Sequence, residues 1–74
     1  MHETEMNILK AIGNKIVERR KELNMTQEDL AYKADIDRTY VGYVENGKQN
    51  ITIVMLCKFA NALDINIKDF FNND

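Results

Sequence analysis

The chain has no proline, three glycines and one cysteine among its 74 residues. Without proline nothing bars a helix from running on, so an all-α fold is the natural expectation. A lone cysteine, Cys57, makes no internal disulfide. The core must therefore hold unaided, or borrow area from a partner, at a size near the lower limit for unstapled folding. The longest unbroken apolar run, Ile53 to Cys57, is far short of the ~20 residues that span a bilayer. Met1 to Asn7 is polar and acidic, whereas a secretory signal is basic and then apolar. The expectation is one cytoplasmic domain over residues 1–74, with no membrane partner.

Reactive chemistry is equally scarce. The single histidine, His2, stands in the polar N-terminal stretch, and a closed zinc site wants four Cys/His ligands. There is no glycine-rich phosphate loop, and the carboxylates are spread along solvated helix faces rather than paired for acid–base work. Cys57, in an apolar helix, is expected to be a packing residue. These features predict a protein that is not an enzyme and uses no cofactor or metal.

The net charge of −2 does not by itself favour a polyanionic partner. Its distribution is more permissive: from Lys10 to Lys48 there are eight basic and seven acidic residues, and acids outnumber bases only toward the ends.

What the sequence does have is helical periodicity. Ile8/Leu9, Ile12, Ile16/Val17 and Leu23 recur at helical spacing, predicting a first helix over about 5–23 with Thr4 as its cap. Asn24 suits the left-handed exit. Thr26-Gln27-Glu28-Asp29 has the form of a capping box and opens a second helix, about 27–34, with Leu30, Ala31 and Ala34 inward. Asp37 is placed to cap a third, about 38–46, stopped by Gly47. Its inward pair is Val41 and Val44, with Arg38, Thr39, Gly42 and Tyr43 outward and Tyr40 divided between core and surface. Thr52 caps a fourth, about 53–63, in which Ile53, Leu56, Phe59/Ala60 and Leu63 form one stripe. Asp64 stands at its exit. Asn66 opens a last short helix, about 67–72, expected to bury Phe70 and Phe71.

Two short helices separated by a three-residue break match a helix-turn-helix unit, here about 26–46. In that geometry the first helix crosses the DNA backbone and the second presents its leading residues to base edges in the major groove. Arg38 is the side-chain type that donates twice to guanine O6 and N7, and Thr39 can bond or touch a thymine methyl. Tyr43 can stack on sugar or reach a phosphate. Tyr40 is the fourth candidate for the groove. Gly42, costly in mid-helix by ~1 kcal/mol against alanine, makes sense if something must come close to that face. Gln27, Lys48, Asn50 and Thr52 are the candidates for contact with the sugar-phosphate backbone. Arg19 and Lys33 are expected to be exposed.

Residues 12–71 resemble the Cro/phage-repressor (lambda repressor-like) family of helix-turn-helix domains. The matching elements are Ile12-Gly13, Ile16, Arg20, Met25 to Ala31, Val41 with Val44-Glu45-Asn46-Gly47, Thr52, Leu56 with Phe59 to Leu63, and Ile67 to Phe71. Ala31-Tyr32-Lys33 followed by Asp37 to Val41 is most similar to the controller proteins of restriction–modification systems. Asn24 and Asp64 depart from the family's usual glycine, and Gly42-Tyr43 departs within the third helix. The resemblance implies a compact five-helix fold and an Arg20–Glu45 ion pair bridging helix 1 to the end of helix 3. It also implies a transcription regulator that controls its own synthesis, and it admits RNA polymerase as a further partner.

So small a reader needs two copies on a symmetric duplex site. The chain leaves no room for a separate dimerisation domain, so the surplus apolar residues of 52–72 are assigned to self-association: Val54, Met55, Ile65, Ile67 and Phe70, with Cys57 and Phe71 counted in the same surplus. The alternative is an antitoxin or phage-type repressor whose helix-turn-helix domain also holds a protein partner. Against an antitoxin, only residues 1–7 and 72–74 are spare for wrapping one.

Overall fold

The computed structural model describes residues 2–71. Four α-helices, α1 (Glu3–Glu22), α2 (Gln27–Ala34), α3 (Arg38–Glu45) and α4 (Ile53–Leu63), precede a 3-10 helix at Ile67–Phe71. No strand occurs among the described residues. Asn72, the predicted end of the last helix, lies outside them.

Helix starts follow local chemistry. At α2 the Thr26 hydroxyl accepts from the Asp29 N–H at 3.0 Å while the Asp29 carboxylate accepts from the Thr26 N–H at 2.9 Å. The backbone bond and then the hydroxyl hold the Asp29 carboxyl below its ordinary pKa. Thr52 caps α4 by accepting from the Met55 N–H at 3.1 Å. Two expectations fail here. Thr4 lies inside α1, which begins at Glu3 after an extended His2 that makes no side-chain cap. Glu3 and Glu5 favour that early start by facing the positive end of the helix dipole. Asp37 is the N-cap residue of α3, but its side chain makes no capping bond.

The four α-helices end alike. A left-handed residue follows each: Asn24 (φ 57°), Asp35 (56°), Gly47 (70°) and Asp64 (55°). The next N–H returns to a carbonyl five residues back: Met25 to Arg20, Ile36 to Ala31, Lys48 to Tyr43 and Ile65 to Ala60. This is the Schellman arrangement, and Met25, Ile36 and Ile65 complete it by packing against the core. Asparagine and aspartate tolerate the conformation at three exits. At the fourth, glycine is also required by space, since a Cβ on Gly47 would stand 2.9 Å from Lys10 Cγ.

Ile12, Ile16, Leu30, Val41, Val44, Leu56, Phe59, Leu63 and Phe70 form the centre of the core. α3 packs on α1 and α2, α4 on α2 and α1, and the 3-10 helix closes against α1 and α4. The α4 stripe is shorter than expected, because Ile53 is 65% exposed. As the first helical residue its side chain points back past the helix end, beyond the core's edge. Only one of the two terminal phenylalanines is buried: Phe70 is in the core, and Phe71 is 53% exposed.

Candidate nucleic-acid interface

α2, the turn Asp35–Asp37 and α3 form the helix-turn-helix, and two devices fix α3 in place. The first is a close approach to α1: a Cβ on Gly13 would lie 2.6 Å from the carbonyl oxygens of both Val44 and Glu45. The second is a polar cluster on Glu45, the one buried charged residue among those described. Arg20 donates from Nε to Glu45 Oε2 at 2.7 Å and from Nη2 to Oε1 at 3.1 Å. Its Nη1 donates to the Met25 carbonyl at 2.9 Å. Gln27 Nε2 donates to Glu45 Oε1 at 2.9 Å. Helix 1, the start of α2 and the end of α3 thus meet at one carboxylate. Gln27 is therefore not a freely solvated side chain; one amide hydrogen is committed inward and one remains for an outside acceptor.

The outer face of α3 carries Arg38, Thr39 and Tyr43, all exposed. Arg38 Nε stands 3.7 Å from the Glu28 carboxylate, an open pair that water screens. Tyr40 packs on the core and keeps one side at the surface. Its ring lies 6.4 Å from that of Phe59 at 19°, and it stays partly exposed; burial raises its hydroxyl's pKa. Beyond α3, Lys48, Asn50 and Thr52 are exposed. The Thr52 oxygen is used as a cap acceptor, which leaves its O–H free to donate.

The residues assigned to self-association separate. Val54 is 69% exposed, Met55, Ile65 and Ile67 are half-buried, and Phe70 is 4% exposed. Phe70 has no surface to give a partner and is removed from that set. Phe71 is exposed, and so are Ile53, Met6 (45% exposed) and Ile8 (46%), which lie outside that set. Ile8, Leu9, Ile53 and Phe71 line an apolar cleft of about 330 Å³ between α1 and the start of α4. Cys57 is exposed rather than packed. Arg19 is not the exposed residue expected: 27% exposed in its side chain, it donates from Nε to the Leu63 carbonyl at 2.9 Å, tying α1 to the end of α4. Lys33 is exposed.

The chain belongs to the helix-turn-helix family, whose model matches residues 16–70. Within that family it is similar to control proteins. One is C.MunI from a Mycoplasma species, 40% identical over 70 residues, covering 92% of this chain and 95% of the relative. Another is C.BamHI from Bacillus amyloliquefaciens, 34% identical over 67 residues, covering 89% and 83%. Among solved structures, the restriction–modification controller protein C.AhdI from Aeromonas hydrophila superposes with a TM-score of 0.82 at 40% identity, covering 85% of this chain and 96% of that one. The controller C.Esp1396I, solved as a tetramer with its natural 35-base-pair operator, gives 0.79 at 39% identity, covering 86% and 84%.

Proposed function

We propose that this chain is a sequence-specific DNA-binding transcription regulator of the restriction–modification controller type, acting in the cytoplasm as a homodimer on an inverted-repeat operator. The observation that carries the reading is the division of labour on α3. Its inner residues and its end are locked by Gly13 and by the Glu45 cluster. Its outer residues Arg38, Thr39 and Tyr43 have almost no employment within the molecule. A rigidly held helix with polar, unengaged leading residues is what reading base edges requires. Arg38, Thr39 and Tyr43, with the Tyr40 edge, are the base-facing set. Gln27, Lys48, Asn50 and Thr52 hold the flanking phosphates.

Residues 1–74 act as one unit, with self-association through the exposed Ile53, Val54 and Phe71, of which Ile53 and Phe71 share a cleft with Ile8. Met55, Ile65 and Ile67 support it from their half-buried positions. Occupancy then follows protein concentration, with RNA polymerase as the partner that operator binding admits or excludes. No helix among the described residues is long and apolar enough to cross a membrane. The test is titration of the protein against mixed duplexes at two salt concentrations. Affinity should fall steeply with salt, as release of phosphate counterions demands. No duplex binding at micromolar protein and low salt would overturn the reading.

A further inference from the structure

The glycine in the middle of α3 has no internal reason to be there. A methyl group placed on Gly42 would meet no atom within 4 Å beyond its chain neighbours and its own helix backbone, and φ there is not positive. Gly13 and Gly47 are different, since packing or conformation forbids a side chain at both. Alanine at 42 would fit and would favour the helix. The bare position leaves room on the outer side of α3 for an approaching group.

Its place on the helix says what. Gly42 follows Arg38 by four residues and Thr39 by three, so it lies one turn further along their exposed face. Its backbone offers nothing to a polar base edge, because the helix uses it; its carbonyl, for one, accepts from the Asn46 N–H at 3.1 Å. Of the groups on the major-groove edge, N7, O6, O4, N4 and N6 all want a hydrogen-bond partner. The thymine C5-methyl alone wants an apolar space. We propose that Gly42 is the point where the recognition helix comes closest to the bases, and that the missing side chain receives the C5-methyl of one thymine in each half-site. This rests on the reading of α3 as the helix in the groove.

The experiment pairs Gly42→Ala with deoxyuridine, which removes only the methyl. Gly42→Ala should raise the thermal midpoint by a few degrees while weakening selected operator duplexes roughly tenfold. Replacing thymines by deoxyuridine one symmetric pair at a time should weaken wild-type binding at one position and restore Gly42→Ala binding at that same position. Equal affinity of Gly42→Ala and wild type for the operator would overturn the proposal, as would weakening that no deoxyuridine relieves. Arg38→Ala, run alongside, separates the two readings. If it changes the bound sequence and Gly42→Ala does not, only the thymine contact fails; if neither does, α3 is not the reader.

Discussion

Arg38 and Glu45 sit at opposite ends of α3 and carry opposite kinds of work. Arg38 is 60% exposed in its side chain and held only by an open pair with Glu28, so its removal should leave the fold intact. Arg38→Ala is expected to relax base preference at one symmetric pair of positions, at a cost of ~1–3 kcal/mol per contact, read by repeating the sequence selection. Uniform weakening on every duplex would place Arg38 on the phosphates instead. Glu45 is the reverse case, 4% exposed in its side chain against 13% for Arg20. The pair as a whole adds little net stability, because desolvation offsets attraction, but losing one partner strands a buried charge. Glu45→Gln should lower unfolding stability by about 3 kcal/mol in urea. A loss below ~1 kcal/mol would class the pair with ordinary exposed bridges.

Among the elements, what depends on neighbours in sequence was legible and what depends on distant ones was not. The Thr26 and Thr52 caps and the left-handed Asn24 follow from a few adjacent residues. The Arg20–Glu45 meeting came from the family likeness, because no local rule joins α1 to α3. Arg19 reaching the Leu63 carbonyl and Gln27 reaching Glu45 span 44 and 18 residues, and nothing in the periodicity announces them. Periodicity places Ile53 and Phe71 inward, because a stripe shows which face turns inward, not where the core stops along it. Gly13 was legible only as a family element; its reason is the α3 carbonyls lying 2.6 Å from where its Cβ would be. Those atoms are backbone and cannot swing aside. Gly13→Ala should therefore push the end of α3 away from α1, lowering stability by ~1–3 kcal/mol despite alanine's better helix propensity, and weakening operator binding with it. A variant as stable as wild type in thermal melts would show that the approach is looser than described.

At the scale of the whole molecule, the exposed apolar residues and the exposed face of α3 proposed to read bases have to be satisfied together. Ile53, Val54 and Phe71 are surplus to a core already closed by Leu56, Phe59 and Phe70. A two-fold partner using the same patch would bury them and leave both copies of α3 free to enter successive major grooves. Val54→Glu should turn a concentration-dependent dimer into a monomer in sedimentation while sparing the helical spectrum, since Val54 is 69% exposed. An unchanged dimer would move the contact to another face.

The most direct measurement is selection of bound duplexes from a random pool, with the number of chains per selected duplex counted by mass. The account predicts an enriched inverted repeat, half-sites about one helical turn or a multiple apart, with one chain on each half-site. An asymmetric enriched sequence occupied by a single chain, or no enrichment at all, would contradict it.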